Sequence, residues 1–298
     1  MRALDLMAKT LIAILLVLLS MHALPDLLRF RRFGWLRNLL TPADGQARGT
    51  SSRTVWITAL LLIVTALIQA GLHRHWFGIL ELAFMVVVLY QCWGPRDLDE
   101  DIDAVLKAPD SERRRAAAQR LNDGISEQVL PFNAAALVEA GFAAALSRRF
   151  GVLFWFTLMG PFGAVAYRLV HLLARSPAFA EAAGDLRPTF ERAALILDWL
   201  PAHLLAWTLA LVTDFDASVR AWREYHAAHG QGYFTLDLGF LGAIARAGVD
   251  ADVAAGDAGI DDVNDPLTEL ADTRIILRRA LYAWIAVIAV IVIGGWAA

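Results

Sequence analysis

Val55-Trp56-Ile57-Thr58-Ala59-Leu60-Leu61-Leu62-Ile63-Val64-Thr65-Ala66-Leu67-Ile68-Gln69-Ala70-Gly71-Leu72 contains no charged residue. At about 1.5 Å per helical residue it is about 27 Å long, close to the hydrocarbon thickness of a bilayer. In lipid every amide and carbonyl must be satisfied inside the protein, which an α-helix achieves within one segment. The expected fold class follows: an all-α, polytopic transmembrane helical bundle. The 298 residues are 58% hydrophobic and only 19% charged, whereas soluble domains run at about 45–50% and about 25%. This balance excludes a disordered chain, a disulfide scaffold and an ordinary soluble enzyme. A net charge of −3 offers no basic footprint, so no nucleic-acid partner is expected. Cys92 is the single cysteine, and no Cys/His cluster points to structural zinc.

Outward from this stretch, six candidate spans are legible: 6–24, 55–72, 76–93, 150–173, 193–212 and 280–298. The first resembles a signal peptide, but Leu24-Pro25-Asp26 is a poor cleavage site and the segment reads as retained. His73-Arg74-His75 makes a tight hairpin of the second and third. The fourth carries Gly160-Pro161-Phe162-Gly163 near its middle, and Asp198, Pro201 and His203 interrupt the fifth. Loops 25–54, 94–149 and 213–279 hold 20 of the 27 Lys and Arg, so they are expected in the cytoplasm with both termini outside. The chain is treated as one membrane domain, 1–298. The sidedness of everything after residue 193 depends on the fifth segment crossing.

Within the loops, Asp110-Ser111-Glu112 ahead of Arg113–Leu121 has the acids and cap of a helix start. The Ala-rich Asn133–Leu146 is expected to be helical and to continue towards the fourth span. Gly248–Pro266 is acidic and Gly-rich and reads as an exposed flexible connection. Its DxD spacing lacks the ligand order of an EF-hand, so no metal centre is expected.

Charges near mid-bilayer cost about 2.5–3.5 kcal/mol on insertion scales and demand an explanation. Glu81, in the first turns of its helix, can reach the headgroups and favours the positive helix N-terminus. Arg168 follows Pro161, which bends its helix; it either snorkels outwards or faces a cavity and holds an anionic group. Asp198-Trp199-Leu200-Pro201 is either a capped helix entry or a bent segment whose carboxylate lines a site. Asp198 and His203 are five apart and do not share a helical face cleanly. GxxxxGK[ST] and GxGxxG are absent, and no Ser/His/Asp constellation can be assembled.

Three stretches stand out together: Gly94-Pro95-Arg96-Asp97-Leu98 with Asp99-Glu100-Asp101, then Leu153–Phe156 running through Gly160–Ala164 to Ala166-Tyr167-Arg168-Leu169, and Leu197–Ala202. Together they resemble the AmpE proteins, bacterial inner-membrane proteins related to the CobD/CbiB cobinamide-phosphate synthases. The AmpE branch implies a signalling modulator of inducible β-lactamase expression. The synthase branch implies joining of an aminopropanol unit to the corrinoid cobyric acid. That branch carries a Glu-Asn pair and an Asp-Gly pair where this chain reads Ala143-Ala144-Ala145-Leu146-Ser147-Arg148-Arg149. Glu139 stands about one turn too early to replace them, and His229-Gly230-Gln231-Gly232 is a poor substitute for the later synthase motif. A membrane core kept without its acidic site argues for a non-enzymatic role or a changed reaction.

The resulting expectation is an AmpE-type inner-membrane signalling protein that responds to β-lactam or cell-wall stress. A cavity lined by the fourth and fifth spans would offer Arg168, Asp198, Trp199 and Pro201 to a small ligand, and the loop after Trp93 would report its state through Arg96 and Asp97. The expected partners are the lipid bilayer and a cell-wall recycling or β-lactamase regulatory protein, with no cofactor and no metal. The alternative is a cobinamide-phosphate synthase-like enzyme. A transporter is disfavoured, since neither repeat symmetry nor paired broken helices are visible.

Overall fold

The computed structural model describes residues 2–23, 34–40, 50–74, 78–94, 97–122, 128–230, 232–254 and 265–297. Among them the regular elements are all helical, which bears out the fold class. In chain order they are α1 (Arg2–Ala23), α2 (Gly34–Leu40), α3 (Thr50–Arg74), α4 (Gly78–Cys92), α5 (Leu98–Leu106), α6 (Ser111–Asn122), α7 (Ala134–Ala145), α8 (Gly151–Met159), α9 (Pro161–Arg175), α10 (Ala180–Ala183), α11 (Arg187–Val212), α12 (Phe215–His229), α13 (Gly239–Ala254) and α14 (Pro266–Ala297). Helical runs long and apolar enough to cross a membrane are Ser52–His73, Ala134–Met159, Pro177–Val212 and Pro266–Gly294. Met7–Ser20 and Gly78–Cys92 are shorter apolar helices. The chain divides into two compact units, residues 1–96, 151–194 and 287–298 forming the first and 97–150 with 195–286 the second.

In the first unit α1 lies against α4, and α9 against α3 and α4. Leu36 and Leu40 of α2 join Leu169, Leu172, Leu173, Phe179, Ala182 and Ala183 in a buried apolar cluster. α3 carries large apolar side chains outward, Trp56, Leu60, Ile63 and Leu67 among them, which is the surface a lipid-facing helix needs. Lys9, Glu81 and His73 tie α1, α4 and α3 together, with Lys9 Nζ 2.8 Å and His73 Nδ1 3.0 Å from the Glu81 carboxylate.

The fourth expected span is not one helix. α8 ends at Met159, Gly160 adopts φ +67°, ψ −152°, a backbone region essentially restricted to glycine, and Pro161 opens α9. α8 and α9 then fold back on each other. A Cβ at Gly151 would lie 2.1 Å from the Tyr167 hydroxyl, and one at Gly163 would lie 2.2 Å from the Trp155 carbonyl oxygen. Gln69 of α3 seals the reversal, its amide nitrogen donating to the Met159 carbonyl (3.1 Å) and its oxygen accepting from Phe162 N–H (2.9 Å). Gly163→Ala is expected to cost at least about 1–3 kcal/mol, because its clash is with backbone and no side chain can yield. Thermal unfolding in detergent checks this, with Gly71→Ala, where nothing lies within 4 Å of the new Cβ, as the neutral control.

In the second unit the Ala-rich stretch is helical as the sequence expects, and Asn133 caps α7, its side chain accepting from Ala136 N–H at 2.8 Å. Asp110 does the same for α6 through Arg113 N–H at 2.7 Å. α7 continues towards α8 through a wide π-turn, Leu146–Phe150. Gly248–Pro266, expected as a flexible connection, is helical over its first part: α13 runs to Ala254, and Asp252 is buried against Arg279 at 2.9 Å. Asp257, Asp261 and Asp262 lie outside the described residues.

Candidate functional site

The second unit carries an open cleft of about 530 Å³. One wall is a face of α12 with Ala221, Glu224, Tyr225, Ala228 and His229; the other is a face of α13 with Ala243, Arg246, Ala247 and Asp250. Spacings of three and four residues place each set on one side of its helix. Alanines keep the floor open, the start of α7 contributes Ala134 and Ala135, and buried Glu269 comes from the first turn of α14. Glu139 of α7 reaches Arg246, Oε1 to Nε at 3.0 Å. The missing side chain of Gly242 makes its room, since a Cβ there would lie 2.9 Å from the Glu139 Cγ.

The polar groups are held in defined states. Tyr225 donates its hydroxyl proton to Asp237 at 2.7 Å, and Asp237 also accepts from Gly239 N–H at 2.9 Å. Burial first, and then the Asp237 bond and charge, push the Tyr225 phenol up to about 12, so it stays a donor. Burial also raises Asp250 against the opposing pull of Arg246. The His229 ring stacks on Tyr225 with centroids 4.2 Å apart, and its Nδ1 is 2.8 Å from the Tyr225 carbonyl. That contact requires Nδ1–H as donor and leaves Nε2 as the basic nitrogen. The arrangement offers carboxylates for an ammonium group, a guanidinium for an anion and an imidazole suited to accept a proton.

A second charged cluster sits at the π-turn. Arg148 and Arg149 are adjacent and both buried. The widened turn lets both reach α5: Arg148 bonds Asp101 at 2.7 Å and the Arg120 carbonyl at 2.7 Å, and Arg149 bonds Asp97 at 2.5 Å and Asp99 at 3.0 Å. Asp97 is also the N-cap of α5, accepting from Asp99 N–H. Arg96, expected beside it at a hinge, lies outside the described residues.

The four residues expected to contact a ligand are distributed as follows. Arg168 is buried in the first unit, where Nε and Nη2 donate to the carbonyl of Cys92 at 2.8 and 2.5 Å, capping the C-terminus of α4. Asp198, Trp199 and Pro201 belong to the second unit. α11 begins eleven residues before Asp198, so Asp198 is a fully buried mid-helix residue and no cap, and Pro201 lies inside the helix. Trp199 donates Nε1–H to the Thr235 carbonyl at 3.1 Å. Sequence reasoning passed over Glu224, Tyr225, Arg246, Asp250 and Glu269. Their signal is the alternation of alanine with polar residues at helical spacing within a segment read as loop.

No family model matches the chain, and no solved structure matches it. Two curated proteins do. The cobalamin biosynthesis protein CobD of Chromobacterium violaceum is 30% identical over 173 residues, covering 55% of this chain and 54% of that protein. The protein of the same name from Stutzerimonas stutzeri is 31% identical over 207 residues, covering 64% and 65%. The chain thus spans between half and two thirds of the relatives it matches. These likenesses support the CobD/CbiB superfamily and do not extend to the AmpE assignment. They overturn the expected AmpE-type role in β-lactamase signalling, because both relatives are named for cobalamin biosynthesis, the alternative reading.

Proposed function

We propose that this chain is a multi-pass protein of the bacterial inner membrane that carries out a cobinamide-phosphate synthase-like condensation in cobalamin biosynthesis, with the cleft of the second unit as its site. The observation that carries the reading is the likeness to two proteins named CobD. The chemistry of the cleft supports it. Amide formation needs the amine as a neutral nucleophile and the carboxylate activated by a phosphoryl donor, so that its oxygen leaves on phosphorus. Glu139, Glu224, Asp250 and Glu269 favour an approaching ammonium, His229 Nε2 takes its proton, and Arg246 orients an anionic group. The acids of the synthase branch are missing at 143–149, and in this reading Glu139 and the acids of α12, α13 and α14 serve in their place.

The walls of the cleft come from 94–149 and 213–279, the segments whose arginine content assigns them to the cytoplasm. The test is complementation of a synthase-deficient strain under cobalamin limitation. The unaltered chain is expected to restore growth. His229→Ala, made to the same level in the membrane, is expected to lower amide formation about a hundredfold. Normal expression without rescue, together with no corrinoid amide from the purified protein, phosphoryl donor included, would remove the proposal.

A further inference from the structure

We propose that the second half of α11 lies in the plane of the membrane as an interfacial helix, docking the second unit on the lipid surface, and that it does not cross the bilayer. Its outward face is a continuous apolar stripe, Ile196, Leu200, Leu204, Trp207 and Leu211, at spacings of three and four residues. One flank of this stripe rests against α12 and α13. His203 contacts Phe240 with ring centroids 4.6 Å apart, Trp207 contacts Trp222 at 5.4 Å, and Thr213 lies against Gly248. Those contacts place α13 beside the chain at residues 203 and 213. α13 carries exposed Arg246 and Asp250, and α12 carries exposed Arg223 and Glu224. A crossing α11 would carry these charges into hydrocarbon with it, whereas an in-plane α11 turns its stripe to lipid and leaves them in water.

The loop 232–238 fits the same surface. Phe234 is 90% exposed at its tip, with half-exposed Tyr233 beside it. Irregular backbone near hydrocarbon needs its polar groups paired. Here α11 supplies the partners, Trp199 Nε1–H to the Thr235 carbonyl and the His203 ring to the Tyr233 carbonyl at 3.4 Å. The Phe234 ring stacks on Trp199, so the loop extends the stripe with the aromatic residues favoured at membrane interfaces.

Sidedness is preserved because the α8–α9 pair runs up and back. The chain then returns to its entry side before α11, and 213–279 remains with 94–149. Arg175, Arg187 and Arg192 move to that side as well, raising its share from 20 to 23 of the 27 Lys and Arg. The test uses the full chain with single cysteines at exposed positions, the buried native Cys92 serving as background. Glu181→Cys is expected to resist a membrane-impermeant maleimide in intact cells and to react in inverted vesicles. A polarity-sensitive dye on Leu204→Cys or Phe234→Cys in liposomes is expected to emit to the blue and to be quenched by bromines near the headgroup, while iodide in water leaves it unaffected. Reaction of Glu181→Cys in intact cells would overturn the proposal. So would strongest quenching by bromines at the chain ends, which marks a span. Quenching by iodide, or shielding from every quencher by a protein partner, would overturn it equally.

Discussion

Arg148→Met is expected to destabilise the second unit by about 3–5 kcal/mol, the range for breaking a buried ion pair by removing one partner. Both side chains of the Arg148–Asp101 pair are 4% exposed, so water cannot take over the charge of Asp101. The same guanidinium bonds the carbonyl of Arg120 in the last turn of α6, so the substitution also uncaps that helix. Denaturant unfolding in micelles measures the loss. The double variant Arg148→Met/Asp101→Leu is expected to recover much of it, because removing both charges leaves none to desolvate. Lys107→Ala is the contrast. It breaks an exposed pair with Asp103, one helical turn apart, and about 0.3–0.5 kcal/mol is expected. A cost for Arg148→Met no larger than that would show that the pair is solvated.

The contrast between these two pairs also marks what the sequence discloses. Lys107 and Asp103 stand on one helix face and can be paired by counting. Arg148 and Asp101 are 47 residues apart, and both arginines of the π-turn read as ordinary loop charges. Apolar helices were legible because length and composition set them, and the cap ahead of α6 because capping is local. The path of the chain was not. The run 150–173 has the hydropathy of one crossing, yet Gly160 reverses it, and no running average registers a single residue with positive φ. The cleft was hidden for a related reason. Glu224, Tyr225 and His229 become a wall only when α12 is a helix and α13 supplies Arg246 opposite. By its distance along the chain Glu139 stands too early to replace the missing acids, whereas in the fold it meets Arg246 of α13.

Glu81→Ala is expected to cost about 3 kcal/mol or more in the first unit. The sequence places Glu81 near the outer face with access to headgroups. The structure keeps it in the first turn of α4, where the helix N-terminus favours a negative charge, but buries its side chain to 5% exposure between Lys9 and His73. The carboxylate therefore joins three helices, and its loss removes the ion pair of the Lys9 ammonium, which is 18% exposed. Lys9→Met is expected to cost less, because His73 still bonds the carboxylate. Glu81→Gln separates the contributions: the amide keeps the shape and one hydrogen bond but removes the charge. A loss equal to that of Glu81→Ala in thermal unfolding would assign the stabilisation to charge pairing, and retained stability would assign it to hydrogen bonding. Little change in either variant would mean that water reaches Lys9 at this end of α4, and that the three helices are held by their apolar contacts alone.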